Sequence, residues 1–190
     1  MALVLYLVNL NETDQPMIMK ILRTLIIAIA ILSLSFTDSI GQRSKHEIHA
    51  MMVFNFTKYI QWPASSSSGD FVIGVIGDSE VHATMSKLYG AKTKGSQQIV
   101  IKKINKVSEI GNCHVLYVGE SSSGQFEAIK GATSGKSTLV VTDKSGLGKK
   151  GSGINFKMVG NKLKFEMNQK AMSTANLKVA SQLSGMAIII

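Results

Sequence analysis

The sequence predicts an α/β fold: a small doubly wound (Rossmann-like) mixed sheet with helices on both faces and an antiparallel hairpin at one edge. Three observations predict it. Short apolar runs of strand length, FVIGVIG, QQIVIKK, HVLYV and TLVVT, alternate with stretches of helical spacing. Strands that apolar are buried on both faces, as in a parallel sheet covered by helices. Near the end, INFKMV and KLKFEM alternate in polarity and join at Gly160-Asn161, which reads as a short hairpin.

Composition narrows the class. The chain has 190 residues, with 21 Lys+Arg against 12 Asp+Glu and a formal net charge of +9. That length fits roughly one domain. At 45% hydrophobic it has the apolar content to bury a core, so it is not disordered overall. A lone cysteine, Cys113, excludes an internal disulfide and a zinc site built on a cysteine pair. Neither a collagen-like period nor a solenoid repeat is present.

The N-terminal stretch reads as an export signal. Lys20 and Arg23 precede the apolar run Leu25 to Leu32, and small residues Ser39 and Gly41 stand before a cut at Gln42. Positive, apolar and small-residue parts in that order mark a secretory signal peptide over residues 1–41. The rival is an uncleaved anchor. A spanning helix needs about 20 apolar residues, and Ile21 to Phe36 is short and holds Arg23, Thr24, Ser33 and Ser35. No cysteine lies near the cut, so a lipid-modified cysteine is excluded. Met1 to Pro16 carry no positive charge, which makes Met17 or Met19 the more natural start. Cleavage leaves residues 42–190 as a single domain of net charge +10. That charge suits an acidic partner or an anionic membrane face. Nucleic acid is a poor target for an exported chain, and the lysines are scattered without interleaved aromatics.

The elements follow in order. Lys45 to Gln61 has helical spacing, with Ile48, Met51, Met52, Phe56, Tyr59 and Ile60 on one face, widened by Ala50, Val53 and Phe54. Trp62-Pro63 stops it, and Ser65 to Gly69 is loop. Phe71 to Gly77 is a strand, and Glu80 to Tyr89 an amphipathic helix. Gly90 to Gly95 is loop, Gln98 to Ile104 a second strand, and Glu109 to Asn112 a turn. His114 to Val118 is a third strand, Phe126 to Lys130 a short helix, and Thr138 to Thr142 a fourth strand. Lys144 to Gly153 reads as a mobile glycine-rich loop. After the hairpin strands Ile154 to Val159 and Lys162 to Met167, Ala171 to Ile190 shows helix spacing at Leu177, Ala180, Leu183 and Ala187.

In an open α/β sheet the ligand crevice lies beyond the C-terminal strand ends. Those ends place Asp78, Ser79, Ser121, Ser122 and Asp143 together as the candidate ligand or partner site. The competing role for the same residue types is turning the chain and capping helices. Met51, Met52 and Phe54 form a second candidate, a Met-rich helix face suited to a partner, with core packing as its alternative.

Catalytic and nucleotide motifs are weak. GLGKKG, Gly146 to Gly151, matches a dinucleotide fingerprint, but a strand follows it where a helix is needed. GATSGKS, Gly131 to Ser137, has three residues between its glycines where a phosphate loop has four, and it precedes a strand. Ser121, Ser122 and Ser123 lack the G-x-S-x-G elbow. His46 and His49 lie three apart with no third metal ligand evident. Cys113 and His114 are adjacent, so on a strand they face opposite ways. The residues therefore name no catalytic group, metal or cofactor.

The order IHAMMVFNFTKYIQWP, FVIGVIGDSEV, CHVLYVGES, STLVVTD with a glycine-rich loop, GINF, NKLKFEMN and LKVASQLSGMAIII resembles the YfiR family of exported bacterial proteins, from about Ile48 to Ile190. The resemblance implies a compact α/β domain and binding rather than catalysis. It implies a periplasmic regulator of cyclic di-GMP signalling and biofilm formation. Its partner would be a membrane diguanylate cyclase or related sensor, with an outer-membrane lipoprotein able to sequester it, and the regulator would self-associate as a homodimer. Some relatives use disulfides, which a lone Cys113 cannot supply. The alternative reading is a periplasmic small-ligand-binding protein without a signalling partner.

Overall fold

The structure, a computed structural model, describes residues 44–190 and, before them, Met17, Ile21 and Leu22, which are helical. The chain divides into two units, Met1–Gln42 and Arg43–Ile190. The expected signal, its cut before Gln42 and the early start lie outside the described residues, those three apart. Among the described residues no helix is long and apolar enough to cross a membrane.

The second unit runs α1 (Lys45–Tyr59), β1 (Ile60–Gln61), β2 (Phe71–Ile76), α2 (Ser79–Tyr89), β3 (Thr93–Lys94), β4 (Gln97–Ile104) and β5 (Val115–Val118). It continues with α3 (Phe126–Thr133), β6 (Leu139–Thr142), β7 (Ile154–Val159), β8 (Lys162–Met167), α4 (Gln169–Thr174), β9 (Lys178–Val179), α5 (Ser181–Met186) and β10 (Ile188–Ile189). The main sheet has the order β10-β8-β7-β6-β5-β2-β4-β3. Strands β4, β2, β5, β6 and β7 are parallel, and β7–β8 is the expected antiparallel hairpin. The hairpin sits one strand in from the edge, because β10 pairs parallel outside β8.

The alternation of strand side chains separates two cores. Phe71, Ile73, Val75, Val115, Tyr117, Leu139 and Val141 face α1 and α2. Ile76, Leu116, Val118 and Val140 face α3 through Phe126 and Ile129. Helices cover both faces, so the sheet is doubly wound. Burying each such side chain stabilises the fold by about 1.5–3 kcal/mol.

The structure departs from several local expectations, among them the Gly90 to Gly95 loop, which contains β3. Helix α1 ends at Tyr59; Ile60 and Gln61 leave it as β1 and pair antiparallel with β9. Its buried residues are His49, Ala50, Val53, Phe56 and Thr57, whereas Ile48 and Tyr59 are exposed. The helix is apolar nearly all round, so periodicity alone did not set its phase. The closing segment is not one helix. Asn176, at φ +54, turns the chain left-handed after α4, and two short strands and α5 follow. The glycine-rich segment 144–153 is not loose. Leu147 is buried, and backbone bonds Lys150 N to Leu147 O (3.1 Å) and Ser152 N to Leu147 O (3.1 Å) hold the turns.

Candidate functional site

The parallel strands run to a common end, and sheet order reverses there between β2 and β5. Two glycines close that point. A Cβ on Gly119 would lie 2.5 Å from Gly77 O, and one on Gly77, whose φ is +77, would lie 2.5 Å from Ser122 Oγ. The strand ends therefore meet through bare backbone. Ser122 is buried against this contact, and Ser121 Oγ donates to Gly77 O at 2.6 Å. Beside it, toward β4, lies a shallow cavity of about 370 Å³ lined by Asp78, Ser79, Lys103, Asn105, Ser121 and Ser122. Four of the five predicted strand-end residues thus share one cavity; Asp143 lies apart from it.

Asp78 does two jobs. Its Oδ1 accepts from the backbone of Glu80 (3.1 Å) and Val81 (2.9 Å), which caps α2. Its Oδ2 faces His46 Nδ1 at 3.1 Å, and His46 Nε2 reaches Glu80 Oε2 at 3.2 Å. Ser79 is the exposed first residue of α2, while Ser122 and Ser123 cap nothing with their side chains. Asp143 pairs with Lys45 at 2.9 Å and lies 3.7 Å from His49 Nδ1. The first turn of α1, capped where Glu47 N donates to Ser44 Oγ, therefore covers the strand ends, with Lys45 set on Asp143 and His46 on Asp78. A ligand for Asp78 or Asp143 would have to displace that turn.

His49 is the residue that sequence reasoning set aside. It is fully buried, stacks on Phe156 with ring centroids 4.3 Å apart, and places Nδ1 2.9 Å from Tyr117 Oη. Burial lowers its pKa from 6.5 to about 4, against the pull of Asp143. Neutral imidazole is the stable form. Nε2 is buried without a partner. Burial, followed by Asp143 and Asp78, pushes the Tyr117 phenol up. The alternation of strand β5 could have flagged Tyr117 as a buried hydroxyl in need of a partner; nothing in the sequence matched it to His49.

The Met-rich face lies against the domain's own core. Met51, Met52 and Phe54 are partly buried, and Phe54 stacks on Tyr89 at 4.0 Å with Lys58 above its ring. Cys113 is buried, and that burial pushes its thiol up. His114 accepts from Val72 N (3.1 Å), lies 2.9 Å from Ser66 O and stacks on Phe71, so it braces a loop. Among the described residues no group of three His, Cys, Asp or Glu could hold a metal.

Comparison with known proteins adds to this geometry. The family model of YfiR/HmsC-like proteins (DUF4154) matches residues 46–188, nearly the whole described domain. The chain belongs to the YfiR/HmsC-like family. No curated protein matches the chain. Among solved structures, the ABC domain from Streptococcus pneumonia in complex with L-Trp is similar at 8% identity, with a TM-score of 0.51, over 76% of this chain and 60% of that one. A conserved domain protein from Vibrio cholerae aligns at 13% identity and a TM-score of 0.49, over 77% of this chain and 60% of that one. The chain thus spans less than two thirds of both, and the first likeness concerns the α/β fold alone.

Proposed function

We propose that this family member is an exported, non-enzymatic regulator that binds and represses a membrane signalling protein from the periplasmic side. The partner is a diguanylate cyclase or a related sensor such as a kinase, and its repression keeps cyclic di-GMP and biofilm formation low. An outer-membrane lipoprotein is the counter-partner, and the regulator acts as a homodimer. The family match over residues 46–188 carries this reading. The strand ends support binding over catalysis. Their polar groups are engaged with one another, Lys45 with Asp143 and His46 with Asp78.

The test is capture of membrane proteins on the purified protein, identified by mass spectrometry, with cyclic di-GMP measured in a deletion strain. Capture of a cyclase or sensor kinase, with the nucleotide rising on deletion, is the expected result. No membrane partner and an unchanged nucleotide level would reject it. The reading would then pass to a small-ligand-binding protein. One observation favours that alternative: a cavity of about 860 Å³ beside Trp62, Met172 and Leu177.

A further inference from the structure

Two glycine-lysine segments, each unfit by itself for a nucleotide, face each other in space. Residues 131–137 (GATSGKS) leave α3, and residues 146–151 (GLGKKG) follow β6. Both line a cavity of about 400 Å³, joined by the start of α4. Lys130, Lys136, Lys149, Lys150 and Lys170 stand around it, and its lining includes no aspartate or glutamate. Glu127 reaches Lys130 at 3.4 Å but is 73% exposed, so water screens most of what it offsets. The floor is apolar, from Val140, Met172 and Leu177.

The frame is built. Gly135 at φ +71 and Gly151 at φ +112 supply left-handed turns that other residues resist. Lys130 Nζ donates to Lys150 O at 3.3 Å, which ties one segment to the other. Asn168 Nδ2 donates to Gly148 O at 2.9 Å while its Oδ1 caps α4, which fixes the second segment to the third wall.

Lys136 turns its Nζ to Gly111 O at 3.4 Å, away from this lining; the other four lysines around the concavity repel each other, and a concave low-dielectric wall focuses their field. A multiply charged oxyanion relieves that repulsion, and lysine meets phosphate as a point charge. An apolar floor beneath adds room for a carbon body. We infer that this cavity binds the phosphoryl group of a phosphorylated organic ligand. A soluble phosphate ester and a phospholipid headgroup share that chemistry.

The test titrates the purified full chain, labelled for amide NMR, with inorganic pyrophosphate and separately with phosphatidylglycerol vesicles. Saturable shifts confined to Gly135, Gly151 and Gly153 with pyrophosphate are expected for a soluble source. Vesicle capture without a pyrophosphate response assigns the headgroup instead. In either case the double variant Lys150→Gln, Lys170→Gln weakens binding roughly tenfold. The double variant Lys102→Gln, Lys103→Gln, on β4 and equal in charge, leaves it within about twofold. Equal loss in both variants, shifts spread over the surface without saturation, or no response to either probe overturns the inference. Melting curves of both variants check folding, and the localised shifts are read on the unaltered protein.

Discussion

His49 titrates against the fold. Its imidazole holds a proton near pH 6.5 when unfolded and near 4 when folded. Between those values the unfolded chain binds the extra proton, so acidification favours unfolding. The stabilisation is complete above about pH 6.5 and is lost as pH falls toward about 4, at up to about 1.4 kcal/mol per pH unit. Urea midpoints at pH 7 and pH 5 test this. The wild type should fall, and His49→Phe should fall less while starting about 1–3 kcal/mol weaker, because Tyr117 loses its partner. Equal falls in both would reject the assignment. Glu166 offers a second residue-scale test. Burial alone would raise its pKa, but Lys157 and Asn155, at 2.9 and 3.0 Å, outweigh it and hold the carboxyl low. Glu166→Ala leaves Asn155 Nδ2 without its acceptor and loosens the amide whose Oδ1 accepts from Thr142 at 2.7 Å. It should cost about 1–3 kcal/mol in thermal unfolding. Lys157→Ala should cost less, since its ammonium is half in water. The two-residue turn at Gly160-Asn161 sets Asn155 opposite Glu166, so that pair is legible in the hairpin, whereas Thr142 joins it only through the β6–β7 pairing.

At the scale of elements, legibility followed how many local rules agreed. The bounds of β7 and β8 match their reading residue for residue, because alternation, a glycine turn and length all pointed one way. Helix α1 failed in phase because its apolar residues surround the axis. The closing segment failed because its helical spacing competed with Asn176 and with partners no local pattern shows: β1 for β9, and β8 for β10. Strand β3 is invisible to the pattern for the same reason, since two residues carry no period. The strand-end site was half legible. Loop-forming residues marked the place, but the covering turn of α1 did not, so Asp78 must be tested with its cap separated from its charge. Asp78→Ala should lower stability by about 1 kcal/mol. Asp78→Asn should keep the cap and lose only the attraction to His46. If partner binding falls in Asp78→Asn at unchanged melting temperature, the strand ends take part in recognition. If it falls in Asp78→Ala alone, the cap explains it.

For the whole molecule, the doubly wound sheet was legible because four apolar runs each demanded cover on both faces. Only the structure shows that charge is sorted over it. Opposite charges meet at the strand ends, in Lys45 and Asp143, while like charges gather around the 131–137 and 146–151 segments. The two outermost strands, β3 and β10, have two residues each. Short strands of this kind are poor templates for another chain. Inside β10 lies β8, six residues long and already paired on its other side with β7. Strand β10 covers only the Glu166–Met167 end of β8, so removing residues 187–190 would free the whole outer edge of β8. Sedimentation should then show larger species for the shortened protein than for the intact one. Ile188 and Ile189 thus act as a stopper, occupying the Glu166–Met167 end of β8 that a second chain could otherwise extend.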